Sequence, residues 1–441
     1  MESIGKVLEG WQKDGIGFVR FELPDMHGIS RSKTIPIAHA ADYAERGLNM
    51  YGGVSVLDSR SDVVPGTLYH EEVGYGDQLL FPDPASAAVI PWADRTARLI
   101  CDARWYDGRP LAATPRHVFR NAVERAREMG FEPLMGSEFE FYLLTADTHE
   151  PLFDGYQIFN TMRNDYVPTI RRIVQEMPRV GVDVITANCE YAGSQWEINF
   201  APGRGLDGPD HAFTFKNGVK EIAKQDGYLA TFMSKPLATS AGSGCHTHLS
   251  FLHADSGENA FADEGDPNGM NDTARSFIAG LLTYARAIDA VIAPTVNCLR
   301  RRRRHTFSPT NVSWGYEDRS ALVRVKGGIP ASKHIEYRAP SALSNPYLVG
   351  AALIQAGLRG IEDKLTAPEP STGVPAEEDD TLEKLPTDLS ESLDLLEAEP
   401  AMRDFFGGEF ITAYTRMRRY ELSRLADHVS DWERTEYLEL F

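Results

Sequence analysis

Glu138-Phe139-Glu140-Phe141, His246-Thr247-His248-Leu249-Ser250 and His334-Ile335-Glu336-Tyr337-Arg338 are the stretches on which the reading of this chain turns. Each alternates polar and apolar residues with period two, and side chains at i and i+2 of a strand share one face. Two further segments obey the same rule: Glu190 with Trp196-Glu197-Ile198-Asn199-Phe200, and Val323-Arg324-Val325. In each the polar set points one way, while Phe139, Phe141, Trp196, Ile198, Leu249, Ile335 and Tyr337 point the other. Burying one face of an antiparallel sheet explains a single strand of this kind. It does not explain why Glu, His and Arg recur at the polar positions, whereas a shared polar cavity does.

Working outward, the 441 residues exceed what one core usually serves, so two domains are expected. Residues 1–107 alternate short strand-like runs (Gly17 to Glu22, Ala87 to Pro91, Thr96 to Asp102) with turn signals, as in a small α+β domain. Tyr106-Asp107-Gly108-Arg109-Pro110 marks the break. Thr114-Pro115 then opens an amphipathic helix with Val118, Phe119, Ala122, Val123 and Ala126 on one face and Gly130 as its stop, beginning a second domain over 108–441. Helical periodicity recurs near 165–179, 210–226, 272–292, 346–365 and 409–426. The acidic, Gly-rich stretch 254–272 and the Pro/Glu/Asp-rich stretch 366–390 read as surface loops.

A hydrophobic content of 42% and a charged content of 25% are those of an ordinary globular protein. The net charge of -19 repels a phosphate backbone and argues against nucleic acid as a partner. No apolar run reaches the roughly 20 residues that span a bilayer, and the first residues lack a signal-peptide pattern, so no membrane partner and a cytoplasmic location are expected. Cys101, Cys189, Cys245 and Cys298 show no paired spacing and read as buried free thiols.

Glu138, Glu140, Glu190, Glu197 and Glu336 with His246 would repel one another in one cavity unless cations sat between them. Two or three divalent ions follow, and oxygen-dominated ligation points to Mg2+ or Mn2+. Arginines come close behind: the run Arg300 to Arg304, of which most should be solvated, then Arg319, Arg324 and Arg338. Metals with arginines suggest phosphoryl transfer. No GxxxxGK[ST] loop is present, and Gly203 to Gly208 matches GxGxxG only as a turn followed by Pro209. Gly242-Ser243-Gly244 is either a plain turn or a place where backbone approaches a substrate.

In order, Gly136-Ser137-Glu138-Phe139-Glu140-Phe141, Glu190 to Glu197, Lys235-Pro236, Gly242 to His248, Asp318-Arg319-Ser320, His334 to Arg338 and Asn345-Pro346-Tyr347 resemble the glutamine synthetase family from about residue 15 to the end. The resemblance implies a β-grasp domain, a catalytic domain whose curved antiparallel sheet forms a funnel, and a homo-oligomer of stacked rings, usually a dodecamer. Each active site would be completed by a neighbour's β-grasp domain. By position, Glu140, Glu190 and Glu197 would hold a metal beside the substrate carboxylate, and Glu138, His246 and Glu336 one on the phosphates of ATP. Arg301 and Arg338 would grip the amino acid, with Gly242, His246 and Glu140 nearby. Arg319 and Arg324 would stabilise the transferred phosphoryl group, and His248 and Ser250, with Arg324, would contact ATP. Arg319, Glu336 and Arg301 are thus the catalytic candidates. The implied reaction phosphorylates a γ-carboxylate of glutamate and then forms an amide with an amine.

Three positions depart from the family's ammonia-using pattern. Phe307 stands where a flap glutamate is expected, Gly52 where a small-domain aspartate is expected with Asp58 close by, and Ala241 replaces an asparagine. Binding ammonium and taking its proton needs carboxylates. Phe307 and Gly52 therefore imply a pocket for a larger amine, and a γ-glutamyl amide as product. Ordinary glutamine synthesis, a catalytically silent scaffold and a binuclear hydrolase are the competing readings. Asp380 to Pro386, where regulated members carry a modifiable tyrosine, has none.

Overall fold

Residues 3–155, 158–372 and 375–441 are described by the computed structural model. Strand alternation builds the first sheet, in which β1 (Phe18–Pro24) buries Val19, Phe21 and Leu23 on one face. It pairs antiparallel with β2 (Ser30–Pro36) and parallel with β6 (Thr96–Arg104). β4 (Asp77–Pro82) and β3 (Leu48–Tyr51) extend the sheet beyond β6, and β5 (Ala88–Val89) pairs with β6 off the main path. The expected strand at 87–91 thus shrinks to two residues. The helix Ile37–Arg46 buries Ala40 and Ala44, one turn apart, against this sheet.

A second sheet carries the alternating segments and curls into a half-barrel. Its main order is β13 (Trp314–Tyr316), β14 (Val323–Lys326), β15 (His334–Tyr337), β12 (Cys245–His253), β7 (Phe131–Thr145), β9 (Gln195–Phe200), β8 (Val184–Cys189). β10 (Gly203–Arg204) and β11 (Tyr228–Thr231) add to the two ends of β7. The protein is therefore α+β, as the family resemblance implies.

The apolar face is where the sequence places it. Phe139, Phe141, Trp196, Ile198 and Leu249 are fully buried. Phe139 and Phe141 pack on Phe215 of the helix Asp207–Gln225 with ring centroids 5.7 and 6.3 Å apart. Leu249, Phe251, Ile335 and Tyr337 pack in the core that contains the helices Pro346–Glu362 and Asp272–Tyr284. Burying each such side chain is worth about 1.5–3 kcal/mol, so the polar face is held by a firm backing.

Arg116, at the start of the helix Pro115–Glu128, ties the two sheets together. Its guanidinium reaches Asp83 beyond β4 at 2.7 Å, Asp102 of β6 at 2.8 Å and Asp210 of the helix behind the second sheet at 2.8 Å.

Two loop and helix expectations change. The single helix at 272–292 is two, Asp272–Tyr284 and Asp289–Ile292. The turn between them lets Arg286 reach Glu383 and Glu391 while Asp289 swings inward to pair with Arg302. The stretch 366–390 is not merely surface, since Ala376, Glu377 and Leu385 are buried. Its backbone is stitched to the segment 310–312, with Asn311 Nδ2 donating to Ala376 O, Val312 N to Glu383 O and Leu385 N to Thr310 O. Gly203 to Gly208 is a short strand and turn leading into the helix Asp207–Gln225, with Pro209 in its first turn. All four cysteines are free and buried. Among the described residues, no helix is long and apolar enough to cross a membrane.

Candidate active site

Strand register assembles the site. β12 lies between β7 and β15, so His246 faces Glu138, and His248 faces Gly136 on one side and Glu336 on the other. β14 then sets Arg324 opposite Glu336. On the far side of β7, β9 sets Glu197 opposite Glu140 and Asn199 opposite Glu138, and β8 adds Asn188 opposite Glu197. Directly opposed residues of neighbouring strands share a face. Glu190 and Arg338 each follow the last residue of their strand, β8 and β15.

Distances confirm a cluster. His246 Nδ1 lies 3.6 Å from both Glu138 Oε2 and Glu336 Oε1, and His248 Nε2 lies 3.0 Å from Glu138 Oε1. Among the described residues three triads bring a ligand atom from each member within 4.8 Å of the others: Glu138, Glu197 and His246, and Glu138, His248 and Glu336, in this cluster, and His305, Glu377 and Glu378 outside it. The first two regroup the expected sets, since His248 enters one and Glu197 joins the His246 side. Glu140 faces Glu197 in register but turns Oε2 to Gly244 N at 2.8 Å.

The two halves of the cluster differ electrostatically. Burial, with the Glu140 charge, pushes the Glu190 carboxyl up to about 8. Burial, with Glu140 and Glu138, pushes Glu197 up to about 9. Around Glu336 burial also opposes ionisation, but His246 and Arg338 bring its carboxyl down to about 2. Glu138 is buried as well, and its hydrogen bonds with His246 and His248 hold it well below the carboxylate range. A cation is what would let Glu190 and Glu197 ionise together. Carboxylate oxygens with an imidazole suit Mg2+ or Mn2+, so the donor set fits the metals the sequence implies.

Of the five consecutive arginines, Arg301 and Arg302 bury their side chains, and of these two Arg301 is the one without an acidic partner among the described residues. Its guanidinium meets the carbonyls of Arg338, Ala339 and Pro340 and sits 3.4 Å from His246 Nε2, and burial pushes its pKa down to about 10. Among the described residues no carboxylate pairs with it within 4.0 Å. The glycines make room for it: a Cβ on Gly242 would meet Arg301 Cγ at 2.7 Å, and one on Gly244 would meet Nη2 at 2.3 Å. Arg302 instead pairs with buried Asp289, and Arg304 with Asp380 at the surface.

Arg338 is bound to Glu336 and to the carbonyls of Arg319 (2.9 Å) and Phe307 (3.4 Å). Arg324 joins Glu336 at 2.9 Å and also Glu317. The Arg319 side chain is exposed, and Ser250 is buried on β12. Phe307 is 46% exposed, with its ring centroid 6.1 Å from that of Tyr191, the neighbour of Glu190. Its φ of 54° and that of His305, 62°, are left-handed and costly for such residues. The Ala241 carbonyl accepts the Tyr142 hydroxyl at 2.7 Å. Gly52 is not brought to the cluster within this chain. It opens a 3-10 turn just past the end of β3, where a Cβ would meet Gly76 O at 2.9 Å and the Trp105 ring at 3.0 Å. Asp58 is fully buried and pairs with Arg424 at 2.9 Å.

The sequence profile described as glutamine synthetase, catalytic domain, matches residues 112–437. The chain belongs to the glutamine synthetase family. It is 35% identical to the γ-glutamylethanolamide synthetase of Streptomyces coelicolor over 95% of this chain and 92% of that one. It is 33% identical to the glutamine synthetase of Methanocaldococcus jannaschii over 99% and 98%. A solved ADP complex of GmaS covers 98% of this chain and 99% of its own, with a TM-score of 0.87 at 29% identity. As a member of this family the protein is an ATP-dependent ligase.

Several residues of this glutamine synthetase-type site are not singled out by the sequence. Gln195 Nε2 donates to Gly242 O at 3.0 Å, Ser243 Oγ at 3.1 Å and Glu140 Oε2 at 3.4 Å, pinning the glycine loop to the sheet. Its parity with Glu197 is the one local signal. Asn188 and Asn199 donate to Glu190 and Glu197, each at 3.3 Å. Tyr191 and Glu317 are recognisable only once the fold pairs them with Phe307 and Arg324.

Proposed function

We propose that this ligase phosphorylates the γ-carboxylate of glutamate with ATP and joins it to an amine other than ammonia, releasing a γ-glutamyl amide, ADP and phosphate. The reading rests on Phe307: an aromatic ring stands beside Tyr191, the residue that follows Glu190, where taking a proton from ammonium would call for a carboxylate. Similarity to a γ-glutamylethanolamide synthetase supports it.

Arg301, buried and without a carboxylate partner among the described residues, is suited to the α-carboxylate of glutamate, with Arg338 beside it and Gly242 allowing close approach. Glu140, Glu190 and Glu197 on one side, and Glu138, His246 and Glu336 on the other, would hold two or three Mg2+ or Mn2+ ions, which when bound neutralise phosphate charge and draw the reactants together. Arg319 and Arg324 face the transferred phosphoryl group, while His248 and Ser250 line the ATP side. A γ-carboxylate oxygen attacks the γ-phosphorus and ADP leaves. The amine nitrogen then attacks the carbonyl carbon of the acyl phosphate, phosphate departs, and the nitrogen gives up a proton. Phe307 and Tyr191 present apolar surface to the amine and keep water from the acyl phosphate.

We further infer a β-grasp domain over 1–107, a catalytic domain over 108–441 and a ring-shaped homo-oligomer, in which Gly52 of one subunit closes the amine pocket of the next. The test is turnover of the purified enzyme with glutamate, ATP and Mg2+ against ammonium, methylamine, ethanolamine, isopropylamine and aniline. ADP release and product mass should favour a substituted amine. A preference for ammonium overturns the proposal and returns the chain to glutamine synthesis.

A further inference from the structure

The loop that carries Phe307 is held in place from outside the site. At its start Glu377, only 7% exposed, accepts the backbone N–H of His305 at 2.9 Å. At its end Arg338 donates to Phe307 O. Between these two holds, His305 and Phe307 both sit in the left-handed region, a conformation that needs external support in non-glycine residues.

Glu377 is itself fixed from several directions. The amide of Ala376 donates to Asp318 Oδ2 at 3.2 Å, and the same Asp318 side chain also caps Ser320. Asn311 Nδ2 donates to Ala376 O at 2.7 Å, and Arg304 pairs with Asp380. The segment 375–385 therefore straps the Phe307 loop to the loop bearing Arg319. Glu378 differs from Glu377 in being exposed; its carboxylate meets the His305 ring at 3.5 Å, which Glu377 approaches at 3.9 Å, but it takes no backbone N–H of the loop among the described residues.

We propose that Glu377 is a positioning residue for amine selectivity: by holding the His305 amide it fixes the bend that presents Phe307 to Tyr191. The inference rests on Phe307 lining the amine pocket. It gives the strap a role in substrate choice that no local sequence pattern announces.

The experiment compares Glu377→Ala, Glu377→Gln, Glu378→Ala and Phe307→Ala in the full-length enzyme. One readout is amide hydrogen exchange over 303–308. The other is kcat/KM for methylamine, isopropylamine and ammonium, with KM for glutamate and for ATP measured alongside. Glu377→Ala should speed exchange at His305 at least tenfold and lower the isopropylamine-to-ammonium ratio at least fivefold, leaving both other KM values within threefold. Glu377→Gln, which keeps an acceptor oxygen, should restore most of both effects, and Glu378→Ala should match the parent. Unchanged exchange at His305 in Glu377→Ala overturns the inference, as does a rise in the glutamate KM equal to that for the amine. If Phe307→Ala shifts the ratio and Glu377→Ala does not, the strap inference falls alone. If Phe307→Ala leaves the ratio untouched, the pocket reading falls as well. Exchange is measured on the folded fraction, so a variant too unstable for kinetics still shows whether the His305 amide has lost its protection.

Discussion

Replacing Phe307 with glutamate should change amine preference in a way that scales with the size of the amine. A carboxylate at this position attracts any ammonium ion, bare or alkylated, so that attraction largely cancels in a ratio of substrates. What does not cancel is apolar contact: each carbon of an alkylamine buried against the ring is worth about 0.8 kcal/mol, and about 1.4 kcal/mol is a factor of ten. The kcat/KM ratio of amine to ammonium should then fall by roughly fourfold for methylamine, ~15-fold for ethylamine and ~50-fold for isopropylamine if the ring supplies all the contact. Tyr191 remains in place, so these are ceilings. Phe307 is 46% exposed, so the exchange should cost about 1 kcal/mol of folding stability, and the protein should still fold. Initial rates of ADP release across the four substrates, with product masses as confirmation, give the ratios. A ratio that moves less than twofold, or that moves equally for one carbon and three, would refute the argument that the Phe307 ring selects the amine.

Other perturbations probe the remaining parts. Arg301→Lys loses the guanidinium fork in a space shaped by Gly242 and Gly244, so the glutamate KM should rise roughly 10- to 100-fold for a lost charge-assisted pair. The ATP KM, measured in the same ADP-release assay, should stay within threefold. Glu197→Gln should weaken Mn2+ binding at least tenfold by titration calorimetry without substrates, and an unchanged isotherm would remove Glu197 from the ligand set. Lys216 is fully enclosed, donates to Leu343 O at 3.0 Å and Ser344 O at 2.9 Å, and is driven down to about 7 by burial and by Lys220. Its unfolded form binds more protons than its folded form between about pH 7 and 10.5, so it makes stability rise with pH across that window. Urea midpoints at pH 7 and 9.5 should therefore climb more steeply in the parent than in Lys216→Met.

The parts of the site that could be read in advance are those encoded locally. Glu138 with Glu140, and His246 with His248, share a face because they are two apart in a strand, and two residues of sequence suffice to show it. Arg301 is different, because five consecutive arginines look alike until the fold distributes them. Glycines 242 and 244 admit one to the interior, Asp289 takes the next, and Asp380 takes Arg304 at the surface. The continuous apolar periodicity of 272–292 misleads for the same reason. The helix ends at Tyr284, and Asp289 is then turned inward toward Arg302, a partner that periodicity does not reveal. Glu377 lies inside a stretch whose composition reads as solvent-exposed loop, and only its backbone pairing with 310–312 buries it.

That contrast extends to the chemistry. The half of the cluster around Glu138 and Glu336 carries its own compensation, from His246, His248, Arg324 and Arg338, and its carboxylates are held ionised by the fold. The half around Glu190 and Glu197 is met by amide donors, Asn188, Asn199 and the Tyr191 N–H, with the Arg319 charge acting weakly on Glu190, and its acids still rise toward neutrality. A neutral amide donor stabilises a buried carboxylate far less than a guanidinium does. The fold therefore leaves the charge balance of this second half to whatever cation arrives, and the side of the site assigned to glutamate and the amine should be the side most sensitive to divalent metal concentration.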